Sequence, residues 1–89
     1  MRTISRTTQF KKDVKRIKKR GKSFNVFKQV ILKLAADEPL PEKFRDHQLI
    51  GNYRGARECH IEPDWLLIYE LVDDDLILIR TGSHADLFR

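Results

Sequence analysis

Three histidines, His47, His60 and His84, are the side chains of this sequence best suited to chemistry near neutral pH. An imidazole, with an unperturbed pKa of about 6.5, both accepts and donates protons there, so two or three converging rings suit acid/base catalysis. All three fall near the ends of expected strands or in a connecting loop, where separate segments can meet. Taken singly, each reads more simply as a surface or hydrogen-bonded structural residue.

A metal site is the competing use of the same residues. His47, His60, His84 and Asp64 are all legitimate zinc or iron ligands, and Cys59 could add a thiolate. No pair has the helical i, i+4 or Cys-x-x-Cys spacing that would support it, so neither a metal nor another cofactor is expected. With Cys59 as the only cysteine, no intramolecular disulfide can form. A Gly-rich phosphate loop, a nucleophile elbow and a dinucleotide fingerprint are all absent, which removes most familiar nucleotide-dependent enzymes.

The elements that must position these histidines follow from periodicity. Thr3-Ile4-Ser5-Arg6 can open a sheet as an edge strand. Thr7 or Thr8 can cap a helix in which Phe10, Val14 and Ile17 recur at helical spacing until Gly21 ends it. Ser23 can cap a second helix with Phe24, Phe27, Val30, Ile31 and Leu34 as its apolar stripe, closed by Asp37-Glu38-Pro39. Residues 37–52 read as a loop carrying Phe44, Asp46 and His47. From Tyr53 the pattern changes to strands: Tyr53 to Ile61, Trp65 to Val72 and Leu76 to Gly82, with turns at Glu62-Pro63-Asp64 and Asp73-Asp74-Asp75. The expected fold is α+β: a short N-terminal strand, a two-helix hairpin, then an antiparallel sheet with the helices packed on one face. At 89 residues the chain has room for one domain over residues 1–89.

Charge is divided unevenly. Residues 1–45 hold fourteen Lys/Arg against four Asp/Glu, and residues 46–89 hold four against nine. The first half therefore suits a polyanion, with Lys11, Lys12 and Lys15 among the exposed helix positions, although Lys-rich faces are also common on simply soluble helices. The longest apolar run, Trp65 to Tyr69, is far too short to cross a membrane, and no signal peptide is evident, so the cytosol is the expected location and a membrane partner is not.

Four blocks carry a resemblance: Asp46-His47-Gln48-Leu49, Gly51-Asn52-Tyr53-Arg54-Gly55, Glu62 through Tyr69, and Arg80 through Phe88. In order and spacing they resemble the YafQ toxins of the RelE superfamily, over essentially the whole chain. The resemblance implies the toxin of a type II toxin–antitoxin system, a ribosome-dependent endoribonuclease that cuts messenger RNA in the ribosomal A site. It implies His84 as the principal catalytic histidine, His47, His60 and Asp64 as further active-site groups, and Phe88 as a substrate-positioning ring. Arg80 matches a basic position that can offset charge on the scissile phosphate, with a salt bridge to the Asp73–Asp75 turn or to Asp86 as its plainer role. Trp65 is a candidate substrate contact, read first as core or cleft wall. Tyr53 and Arg54 are candidates for RNA phosphates. Ribosomal RNA and a cognate ribbon-helix-helix antitoxin are the implied macromolecular partners.

RNA carries its own nucleophile in the 2′-OH. Cleavage then needs a base for that proton, an acid for the 5′-oxygen and cations for the phosphate, but no metal. On this reading His84 is the acid, His47 or His60 the base or an electrostatic partner, and Asp64 orients one histidine. A non-catalytic nucleic-acid-binding module is the alternative, for which the basic helices suffice.

Overall fold

The computed structural model describes residues 1–49 and 55–88; Arg54, Tyr53 and the neighbouring residues 50–52, together with Arg89, lie outside the described part. Among the described residues the elements follow in the order β1 (Thr3–Arg6), α1 (Thr8–Lys19), α2 (Asn25–Ala35), β2 (His47–Gln48), β3 (Arg57–Glu62), β4 (Trp65–Val72), β5 (Asp75–Gly82) and α3 (His84–Leu87). A single 3-10 turn, Glu42–Phe44, precedes β2.

Strand β4 organises the molecule because its apolar run has something to bury on each side. Successive side chains on a strand point to opposite faces. Trp65, Leu67 and Tyr69 therefore enter one core with Phe10, Ile17, Phe27, Val30 and Leu34 from the helices. Leu66 and Ile68 enter a second, smaller core with Ala56 and Leu87, flanked by half-buried Leu49 and Ile79. Each large apolar side chain so buried contributes about 1.5–3 kcal/mol, which fixes the strand's register on both faces.

The sheet has the order β1-β5-β4-β3-β2. Its centre is the expected antiparallel meander β3-β4-β5. β1 adds to it parallel to β5, with Ile4 opposite Leu76. The segment expected as a plain loop contributes β2, whose His47 and Gln48 pair antiparallel with Glu58 and Arg57. A two-residue strand shows no periodicity, so the sequence could not announce it.

Helix α1 starts as its sequence indicates: the Thr7 hydroxyl accepts from the Phe10 N–H at 2.9 Å and donates to the Ile79 carbonyl at 2.7 Å, tying the cap to β5. Helix α2 starts one residue later than a Ser23 cap would place it. Phe24 occupies the cap position without a side-chain bond, drawn in by edge-on packing against Phe27 and Trp65.

α1 and α2 cover one face of the sheet, and the opposite face is covered by α3 and the Leu49 segment. Because Cys59 and Ile61 of β3 enter the helix-side core, Glu58 and His60 project from the opposite, more open face. His47, directly across from Glu58, joins them there.

Candidate active site

The three histidines arrive from three elements. His47 lies on β2, His60 on β3 and His84 at the start of α3. Their rings form a row, with centroids 6.3 Å apart for His47 and His60 and 5.9 Å apart for His60 and His84. Phe88 continues it, 6.4 Å from the His84 ring and 43% exposed.

Each ring is held differently. His47 Nδ1 donates to the Arg45 carbonyl at 2.6 Å, which leaves Nε2 as the nitrogen turned toward Glu58, 3.1 Å from Oε2. The same Glu58 oxygen lies 3.6 Å from His60 Nε2, so one buried carboxylate serves two imidazoles. His84 Nδ1 donates to Asp64 Oδ1 at 2.7 Å, and the His84 backbone N–H donates to the same oxygen at 2.9 Å. The backbone N–H first, and the ring second, hold the Asp64 carboxyl below its ordinary value. With Nδ1 committed to Asp64, His84 Nε2 is the nitrogen available to a substrate.

A chain of ion pairs fixes the end of β5 that presents His84. Asp13 of α1, 0% exposed, accepts from Arg80 Nε at 2.7 Å, Arg80 Nη2 at 3.2 Å, the Thr81 N–H at 3.2 Å and Gln9 Nε2 at 3.1 Å. Beyond Thr81, the Ser83 hydroxyl accepts from the Asp86 N–H while the Asp86 carboxylate accepts from the Ser83 N–H, a capping box around the single turn of α3. Arg20, just past the end of α1, grips that carboxylate with two bonds of 2.7 and 3.0 Å. The Arg20 guanidinium, with Ser83 behind it, holds the Asp86 carboxyl well below the usual carboxylate range. Gly82 is required here by close approach: a Cβ on it would lie 2.9 Å from Asp86 Oδ2.

The residue before His47 is anchored as well. Asp46 accepts from the buried Tyr69 hydroxyl and from Arg57 Nε at 3.3 Å. Burial, then the bond to Asp46, pushes the Tyr69 phenol up.

This combination of fold and site has known relatives. A sequence profile for the family described as "Bacterial toxin of type II toxin-antitoxin system, YafQ" matches residues 2–89. The chain belongs to the YafQ toxin family. The mRNA interferase toxin YafQ of Escherichia coli K12 is 46% identical over 88 residues, covering 98% of this chain and 96% of that protein. The structure of the E. coli DinJ–YafQ complex superposes with a TM-score of 0.92 at 44% identity, covering all of both chains. A copper-bound L66S mutant toxin from Helicobacter pylori gives a TM-score of 0.94 at 43% identity, covering 99% of this chain and all of that one.

Within this YafQ-family fold, His47, His60, His84, Asp64 and Phe88 come together as one surface. Trp65 does not join them: it is 1% exposed, stacked on Phe27 and hydrogen-bonded through Nε1 to Thr81 Oγ1, so it belongs to the core. Among the described residues Arg80 is engaged by Asp13 of α1, where the sequence pointed to the Asp73–Asp75 turn or Asp86, and its side chain keeps only 20% exposure. Lys11, Lys12 and Lys15 lie on α1, with Lys11 and Lys12 exposed and Lys15 likewise turned to solvent. Arg54 falls outside the described residues.

Sequence reasoning missed Glu58. The signal was available, since a residue two positions before His60 on a strand must share its face. Cys59 between them is buried on the other side, where burial pushes its thiol up and keeps it a packing residue. Among the described residues no three His, Cys, Asp or Glu side chains are arranged to hold a metal ion.

Proposed function

We propose that this protein is the toxin of a type II toxin–antitoxin pair and an endoribonuclease that cleaves messenger RNA on the ribosome by histidine acid/base chemistry. The observation that carries the proposal is the row of three imidazoles on one open sheet face, backed by the Asp64 and Glu58 carboxylates. Membership of the YafQ family and the mRNA interferase activity named for the E. coli relative support it.

In the reaction, a base removes the proton of the 2′-OH, and the 2′-oxygen attacks the adjacent phosphorus. The bond from phosphorus to the 5′-oxygen breaks with its electron pair on that oxygen, which takes a proton from the acid. The products are a 2′,3′-cyclic phosphate and a 5′-OH. His84 is the acid, using Nε2, because Asp64 occupies Nδ1 and sets the ring's orientation. His47 and His60 share Glu58 and supply the base and a positive charge beside the phosphate. Phe88 offers a half-exposed ring on which a base of the substrate stacks. Arg80 first holds the end of β5 through Asp13, and its charge acts on the phosphate only from behind that pair.

The exposed lysines of α1 bind ribosomal RNA, and the ribosome presents the codon. By analogy with the DinJ complex of the E. coli toxin, a cognate antitoxin with a ribbon-helix-helix region binds this chain. The cytoplasm is the proposed place of action, and no helix among the described residues is long and apolar enough to cross a membrane. The test is primer-extension mapping of an mRNA incubated with the protein, with and without translating ribosomes. Cuts in codon register that need ribosomes are expected. Cuts on free RNA alone would overturn ribosome dependence, and no cuts at all would favour the non-catalytic binding module.

A further inference from the structure

Beside the histidine row lies a recess of about 390 Å³ lined by Val26, Lys43, Phe44, Arg45, His60 and Ile61, with Glu62 and Pro63 at one side. Its floor is apolar, because Phe44 and Ile61 are buried, and its rim is cationic, because Lys43 and Arg45 are exposed. Glu62, the acidic residue of the lining, is already paired with Lys22 at 2.8 Å. The recess lies along β3 past the end of β2, which pairs only with Arg57 and Glu58.

We infer that this recess is a nucleotide subsite, which takes the base and phosphate of an RNA residue flanking the cleaved bond. The inference rests on the endoribonuclease reading above and adds to it the site where the strand continues. Three observations carry it. His60 is a wall of the recess and also the middle ring of the catalytic row, so an RNA strand whose phosphate meets the histidines has its neighbour at the recess. The cations are preset. Lys43 Nζ sits 5.2 Å from the centroid of the Phe44 ring. The Arg45 backbone, at φ 48°, is pinned between its N–H bond to the Glu42 carbonyl and its own carbonyl's bond from His47 Nδ1. A non-glycine residue is kept at positive φ where its surroundings determine it, as they do here at the edge of a site. The size and character also fit: an apolar floor accepts the face of a base, a cationic rim accepts its phosphate, and a volume of this order holds a ligand of nucleotide size.

The test uses the full-length protein and a single-stranded adenosine trinucleotide with 2′-deoxy sugars, which cannot be cleaved by 2′-OH attack. Titration followed by NMR should shift the Val26, Lys43, Arg45 and Ile61 signals saturably. Val26→Trp, which fills the recess from an exposed helix position, should weaken binding about tenfold and raise KM for mRNA cleavage by a similar factor, with kcat within about twofold of wild type. Lys43→Gln with Arg45→Gln should do the same while leaving the floor intact, and serves if Val26→Trp fails to fold. Shifts that bypass Val26 and Ile61, or variants that bind and cleave like wild type, would overturn the subsite. A loss of kcat with unchanged KM would also overturn it, since that would place Arg45 behind His47 instead of against RNA. Binding at the recess by a wild-type protein that cuts no RNA would support the subsite while defeating the enzyme reading.

Discussion

Replacing Asp13 by Asn should unfold the end of β5 more readily than any change at the exposed histidines. Asp13 is wholly buried and takes four hydrogen bonds, two of them from the Arg80 guanidinium. Removing one partner of a buried ion pair costs about 3–5 kcal/mol. Arg80 retains 20% side-chain exposure and can recover some hydration, which puts the expected loss at the lower end, about 3 kcal/mol. For a domain of this size each kcal/mol lowers Tm by about 4–8 °C, so a fall of about 12–24 °C is expected by calorimetry or circular dichroism. Adding Arg80→Met should recover part of it, since the guanidinium no longer faces a neutral amide in the interior, with a coupling of about 1–3 kcal/mol between the two sites. A fall below about 4 °C for Asp13→Asn, or strict additivity in the double variant, would refute the reasoning.

Other outcomes rest on the same ion pairs and on the basic helix. Arg20 holds the Asp86 carboxyl below its ordinary range, so this pair stabilises the fold above about pH 4 and its contribution is lost as pH falls through the depressed folded value. Arg20→Gln should therefore cost about 1 kcal/mol at neutral pH, discounted for the exposure of Arg20. The gap from wild type, followed by urea unfolding, should close as pH drops below about 4; a constant gap would contradict the assignment. Reversing the charge of Lys11, Lys12 and Lys15 should weaken ribosome association and lower its logarithmic salt slope by about one for each phosphate no longer neutralised, with the cleavage chemistry of bound complexes unchanged. Unaltered association would remove α1 from the interface.

The parts of the fold legible in the sequence are those with a sustained period. The stripe Phe10, Val14, Ile17 and the apolar run from Trp65 mark α1 and β4 nearly to the residue. β2 and α3 were hidden because two and four residues show no period, and both depend on distant partners: Glu58 for β2, and Arg20 across 66 residues of chain for the capping box of α3. The site shows the same divide. That the histidines sit near element ends was readable, and so was the chance that they meet. Their carboxylate partners are only half visible: Asp64 lies in one of the recognised blocks, whereas Glu58 is marked only by standing two positions before His60 on a strand. Arg80 drew its partner from α1, 67 residues earlier, where no local pattern marks Asp13 as an interior acid. Trp65 shows how an aromatic in a recognised block can be core alone, because alternation along β4 turns it toward Phe27 and away from the open face.

The central claim is that His84 protonates the leaving oxygen after attack by the RNA's own 2′-OH. Single-turnover cleavage of a ribosome-bound mRNA by wild type and His84→Ala, with the new ends analysed chemically, tests it most directly. The expected result is 5′-OH and 2′,3′-cyclic phosphate ends, and a rate for His84→Ala lower by about 10²–10⁴-fold with an unchanged circular dichroism spectrum. Ends bearing a 5′-phosphate, or a folded His84→Ala variant that cuts at the wild-type rate, would contradict it.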